Sequence, residues 1–266
     1  MQPSHLSRSS KSQPVPMRMR LGRLGLPVGG IAAVVAVVML ATPVAGGASS
    51  TLTFTAPYAQ LAKIYSSSVT AVGCHTIGND PVTPAIDTKN GVITSWQHSV
   101  AGNCNSGTVW ASTDAVLGFT GPKWTAAATG NMTVTVQWSI DWSARATVDV
   151  ETLGVASTAF ASAYLSASSW VADTTTGSDY YGNSSSMFTL ADLSTTNGTM
   201  FAHSLGATTY WMSISLWAQK GDWYSLGTEI VSQTYDYSSM CDQTAWSTVD
   251  LGSGSHSATL VSVTVS

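Results

Sequence analysis

Only two glutamates occur in this chain, Glu151 and Glu229. Hydrolysis of a glycosidic bond on a β-sandwich needs two carboxylates, an acid and a nucleophile or base, about 5 to 10 Å apart. Glu151 closes a long alternating segment, and Glu229 lies in Leu226-Gly227-Thr228-Glu229-Ile230, which reads as a strand. If those strands are neighbours, the pair faces one cleft. The opposing reading is that a glutamate at a strand end is a solvated charge that deters sheet pairing.

Metal chemistry has weaker support. His75, His98, Asp80 and Asp87 surround Cys74 and Cys104, and imidazole with carboxylate suits zinc or copper. Their spacing matches no known ligand pattern. Asp141, Asp149 and Glu151 share one strand face, but Asp141 and Asp149 stand roughly 26 Å apart at strand rise, too far for one calcium. Only Asp149 and Glu151 form a local pair. No metal and no cofactor is expected. The Gly-x-Ser-x-Gly elbow of serine hydrolases is absent.

The tryptophans, ten in all, are the more informative residues. Trp138 and Trp142 fall on the apolar side of an alternating segment and read as core. Trp211 and Trp217 fall opposite the apolar side of theirs, about 20 Å apart at strand rise. Trp223 and Tyr224 follow a turn at Gly221. Exposed flat rings on a β-sandwich serve as stacking platforms for sugars or as contact patches for proteins. Trp211, Trp217, Trp223 and Tyr224 are therefore the expected binding set. The alternative is that both strand faces are buried, since large aromatics are buried on average.

The elements that position these residues are strands. From Met132 to Val150 every even position is apolar or alanine, and every odd position is Thr, Gln, Ser, Asp or Arg. That alternation marks a strand with one buried and one solvated face. It is much longer than a usual strand, which predicts a bend or bulge where the chain passes between sheets. Residues 210–218 repeat the pattern, and residues 257–266 read as a closing strand. Further strands are expected at 51–56, 69–74, 91–96, 107–112, 115–119, 156–165, 187–190, 200–203 and 223–231. Turn signals stand between them, among them Asn90-Gly91, Gly130-Asn131, Asn197-Gly198 and Lys220-Gly221-Asp222. Residues 60–65 allow one or two helical turns, 155–167 are Ala-rich and ambiguous, and 174–186 read as a long polar loop. The expected fold is all-β, an antiparallel β-sandwich of jelly-roll-like form, as one domain over 49–266.

Residues 1–48 read as an export signal. Arg8, Lys11, Arg18, Arg20 and Arg23 precede an apolar run over about 24–45, and small residues follow. The run is almost long enough to span a membrane, so a cleaved signal peptide and an uncleaved signal anchor both remain. Either places the remainder outside the cytoplasm, with the membrane touched only through this segment.

Export changes the charge. The whole chain has 10 basic and 14 acidic residues, and the leader takes five of the basic ones and none of the acidic. What remains is 5 against 14, a net of −9, which argues against nucleic acid and anionic membrane surfaces. At 44% hydrophobic the chain is not of disordered type. An oxidising exterior favours a disulfide; Cys74–Cys104 is the nearer pair, with Cys241 able to replace either. The sequons at Asn131, Asn183 and Asn197 are candidate glycan sites. Together these features point to an exported module that binds a glycan or a surface protein without catalysis. The alternatives are an envelope component assembling through sheet edges, and a secreted glycosidase using Glu151 and Glu229.

Overall fold

The structure is a computed structural model and describes residues 51–72, 84–102, 108–150, 158–181, 187–239 and 243–266. All belong to one compact unit, Ala48–Ser266. Among them the chain forms strands and no helix. In order these are β1 (Leu52–Thr55), β2 (Ala62–Val72), β3 (Ala85–Asp87), β4 (Val92–Thr94), β5 (Trp96–Gly102), β6 (Val109–Thr125), β7 (Gly130–Asp141) and β8 (Ser143–Val150). They continue with β9 (Ala159–Asp173), β10 (Ser178–Tyr181), β11 (Met187–Thr195), β12 (Gly198–His203), β13 (Thr208–Ala218), β14 (Trp223–Ser238), β15 (Gln243–Asp250) and β16 (Ser257–Val265).

The strands pair antiparallel in three sheets. A long-stranded sheet has the order β10-β9-β14-β6-β2, with β11 also on β9. A first half-sheet has the order β13-β7-β16-β4-β3, with β1 on β16, and a second has β12-β8-β15-β5. The two half-sheets match strand for strand, because each of four chain segments runs from one into the other. β7 passes into β8 at Trp142, β4 into β5 at Ser95, β12 into β13 over 204–207, and β15 into β16 over 251–256. The four interruptions form one crease, held by backbone bonds between Ser95 and Leu251 and from Ser204 N–H to Trp142 O at 3.0 Å.

This crease is the bend that the 132–150 alternation predicts. Parity survives it: Met132, Val134, Val136, Trp138, Ile140, Trp142, Ala144, Ala146 and Val148 are all buried. An even-numbered side chain therefore keeps facing the long sheet on both sides of the break. Trp138 is fully buried there, stacked on Phe119 with ring centroids 6.1 Å apart, and its Nε1–H donates to Thr228 Oγ1 at 3.0 Å.

Part of the interior is polar. Between the long sheet and the second half-sheet lie Gln97, Ser99, Thr113, Ser232, Thr234, Asp236 and Ser247, all essentially without solvent contact. The hydroxyls of Ser99 and Ser247 donate to Asp236 Oδ2, the latter at 2.9 Å. Thr234 Oγ1 lies 2.7 Å from both Ser99 Oγ and Thr113 Oγ1. Asp236 Oδ1 has no hydrogen-bond partner among the described residues. Burial, opposed by these hydroxyls, pushes the Asp236 carboxyl up to about 8.

Several expectations need correction. Residues 60–65 are not helical, since β2 starts at Ala62 and pairs along β6. The Ala-rich segment enters β9, whose small side chains alternate inward against the half-sheets. The polar segment 174–186 is not all loop: the Asp173 carboxylate accepts from the amides of Thr175 and Thr176 at the end of β9, and β10 follows over Ser178–Tyr181, while 182–186 lie outside the described residues. β14 runs to Ser238, seven residues past its expected end, because its polar side faces inward.

Candidate functional site

β13 is the edge strand of the first half-sheet. Met212, Ile214, Leu216 and Ala218 point inward and are buried. Trp211, Ser213, Ser215 and Trp217 therefore point outward. Trp211 is 59% exposed and Trp217 58%. Register places Trp211 opposite Gln137, Ser213 opposite Thr135, Ser215 opposite Thr133 and Trp217 opposite Asn131. On the next strand Ser262 and Thr264 pair with Gln137 and Thr135. The outer face is thus two indole rings on a carpet of hydroxyls and amides, partly tied together, as where Ser262 Oγ donates to Gln137 Oε1 at 3.1 Å.

Trp223 is also exposed, at 48%, but it begins β14 in the other layer. Gly221, with φ at 91°, makes the tight turn between β13 and β14. Tyr224 is a correction to the expected binding set. It is 1% exposed, stacks on Trp124, and its hydroxyl oxygen accepts from Gln219 N–H at 3.1 Å. Burial raises its phenol above the usual range. Adjacent strand residues face opposite ways, so Trp223 and Tyr224 could not both be exposed on one strand face.

Of the two glutamates, the structure describes one. Glu151 lies outside the described residues. Glu229 is half-buried on the outer face of the long sheet, where it accepts from Ser168 Oγ at 3.1 Å. Burial raises its carboxyl. The other raised carboxyl on that face is Asp114, which pairs in register with Gln233. Four strand positions separate it from the level of Glu229, about 13 Å, beyond the working range of an acid and base pair.

A second polar cluster lies at the crease. His256 Nδ1 stands 3.2 Å from Asp250 Oδ2, and its Nε2 stands 3.8 Å from Asp141 Oδ1. Ser204 and Ser255 hydroxyls donate to Asp141 at 2.7 and 3.0 Å. The Ser253 hydroxyl and the Gly252 and Ser253 amides donate to Asp250. The Ser204 bond, then Ser255 and His256, hold the Asp141 carboxyl below its usual range against the cost of burial. For Asp250 burial acts upward, and its hydrogen bonds outweigh it. Two carboxylates kept ionised supply no general acid. No hydroxyl hydrogen-bonds the imidazole among the described residues, so the ring activates none of them as a nucleophile. The carboxylates also sit at opposite ring nitrogens and cannot converge on one ion. Among the described residues no group of three or more His, Cys, Asp or Glu side chains is arranged to hold a metal. The cluster clasps the crease.

The remaining candidates are dispersed. Asn131 is the second residue of β7 and Asn197 sits just before β12, both exposed. Asn183, His75, Asp80, Cys74, Cys104 and Cys241 lie outside the described residues. Asp87 caps its own turn, accepting from the amides of Lys89 and Asn90 at 3.0 and 3.1 Å. His98 lies on the outer face of the second half-sheet, stacked on Trp96 with ring centroids 5.5 Å apart. That face, with Arg145, Trp246 and Phe201, is the group sequence reasoning missed. Its members come from four separate strands, and only cross-strand register unites them.

Comparison with protein families and with curated proteins finds no match. Among solved structures, similarity is found to endo-1,4-β-D-xylanase modules of Clostridium thermocellum complexed with xylohexaose, at 14% identity and a TM-score of 0.14. That alignment covers 72% of this chain and 26% of the other. The enzymatically active domain of a tailspike protein from bacteriophage CBA120 aligns at 12% identity and a TM-score of 0.15, over 76% of this chain and 19% of the other. The chain thus spans about a quarter or less of either structure, and superpositions this poor leave function to be read from the side chains.

Proposed function

We propose that residues 49–266 form an exported, non-catalytic carbohydrate-binding module. An extended neutral glycan would lie along β13 over Trp211 and Trp217. The observation that carries this reading is the exposure of two indoles, 59% and 58%, on a strand whose inward side chains are packed. Leaving such rings partly in water forgoes roughly 1 to 2 kcal/mol of burial each, which the flat apolar face of a sugar would recover. Their neighbours on β7 and β16 suit a sugar: Gln137, Thr135, Thr133, Asn131, Ser262 and Thr264 offer donors and acceptors in rows and no charge. The separation of the rings, about 20 Å, fits a chain of several sugar units rather than a monosaccharide.

Affinity electrophoresis in cellulose derivatives, xylan, mannan and soluble chitin tests this. The protein is expected to be retarded by at least one of them. Trp211→Ala and Trp217→Ala are each expected to weaken binding at least tenfold, as truncation of a central aromatic contact does. Stability should stay within about 0.5 kcal/mol, because both side chains are exposed. Equal retardation of the wild type and the double variant would sink the reading.

A further inference from the structure

The outer face of the second half-sheet carries a different chemistry. Arg145 on β8 lies between Phe201 on β12 and Thr248 on β15, with His98 of β5 next in the same row. Trp246 stands one outward row to one side and Trp96, with His203, one row to the other. The Arg145 guanidinium carbon is 4.4 Å from the Trp246 ring centroid, and Nε–H donates to Thr147 Oγ1 at 3.3 Å. His98 lies 5.5 Å from Trp96 and 6.1 Å from Trp246, centroid to centroid, and Phe201 stacks on His203 at 5.0 Å. These rings form one shelf around a single fixed cation.

The cation is unusual in its setting. Arg145 is the only arginine after Arg23, in a region of net charge −9. Its side chain is exposed. Among the described residues no carboxylate lies within ion-pair distance of it, and the bond to Thr147 uses only one of its five N–H donors. A guanidinium already held against an indole loses little freedom on binding, and its planar fork matches a carboxylate two bonds at a time. The flanking rings offer flat apolar surface for a sugar face. One cation does not suit a polyphosphate, which rewards clustered Lys and Arg.

We propose that this shelf is a second binding site, distinct from β13, and that it takes a carboxylate-bearing sugar such as a hexuronate unit of an acidic polysaccharide. The choice of a sugar rests on the reading of the module as a glycan binder, whereas the choice of a carboxylate rests on Arg145 alone.

Calorimetric titration of the protein with oligogalacturonate and with its fully methyl-esterified form separates these grounds, because esterification removes the charge and keeps the ring. The acid should bind at least tenfold more tightly than the ester, and less tightly as salt is raised. Arg145→Gln should weaken acid binding at least tenfold with an unchanged melting curve. Arg145→Lys should recover little, since an ammonium lacks the planar fork. The Trp211→Ala, Trp217→Ala double variant should bind the acid as the wild type does. Equal binding of acid and ester, an unchanged Arg145→Gln affinity, no binding of either oligomer, or displacement by equimolar inorganic phosphate would overturn the proposal. Loss of neutral-glycan binding with acid binding intact would instead remove only the β13 reading.

Discussion

Replacing Asp236 with asparagine is expected to stabilise the protein by on the order of 5 kcal/mol at pH 9 and to leave it nearly unchanged at pH 4. The carboxyl is fully buried between the long sheet and the second half-sheet, and it titrates at about 8. In the unfolded chain it titrates near 3.9. Between those values the native state holds one proton more than the unfolded state. Stability therefore falls as pH rises from about 4 to about 8, and is flat above. Asparagine keeps an oxygen for the Ser99 and Ser247 hydroxyls and never ionises. Its amide nitrogen takes the place of Oδ1, which has no partner among the described residues.

Burial raises Glu229 and Asp114 as well, which adds to the same slope. Asp141, Asp173 and Asp250 are lowered and act in the opposite sense: their contribution is present above the unfolded carboxylate range and is lost as pH falls through their folded values. The wild type should therefore be most stable near pH 4 to 5, between the two trends. Urea unfolding of the wild type and Asp236→Asn at pH 4, 7 and 9 measures both effects. Parallel pH profiles for the two proteins would show that Asp236 does not carry the slope.

Trp138→Ala should cost about 3 to 5 kcal/mol. The indole is fully buried, stacks on Phe119 and bridges the layers through its bond to Thr228. Its removal leaves a cavity lined by strands on both sides, and paired strands cannot collapse into it without breaking their ladders. Trp138→Phe should cost much less, about 1 to 2 kcal/mol. It keeps an aromatic ring against Phe119, and Thr228 Oγ1 retains its contacts with Ser169 Oγ and Ser168 O at 2.6 and 3.1 Å. Because domains are stable by only about 5 to 15 kcal/mol, the alanine variant should unfold at a far lower urea concentration with an unchanged slope. A loss below about 1 kcal/mol would mean that the site relaxes to fill the space.

The contrast between Trp138 and Trp211 was legible without a structure, because it rests on a local rule. Side chains alternate along a strand, so parity within one run of residues separates inward from outward positions. The same rule explains why the break at Trp142 left the pattern undisturbed, and why Lys220-Gly221-Asp222 was readable as a turn. It does not suffice in β14 from Val231 onward. There Val231, Tyr235 and Tyr237 face outward while Ser232, Thr234, Asp236 and Ser238 are buried. Parity still holds, but hydrophobicity no longer tells which side is inside. The polar side chains are accommodated inward because Ser99, Thr113 and Ser247 reach them from three other strands.

The tertiary structure alone decided whatever depends on partners distant in sequence. The crease exists because four chain segments change half-sheet at one level, and Asp141, Ser204, Asp250 and His256 meet there although up to 115 positions separate them. The shelf around Arg145 depends on the register of β12, β8, β15 and β5, which no local pattern specifies. Sequence by itself determined the strand class, the inward face of β7 and β8, and the outward tryptophans of β13, since each follows from residues two apart. Pairing determined the buried aspartate and the arginine shelf, since a side chain's chemistry there is set by the strands beside it.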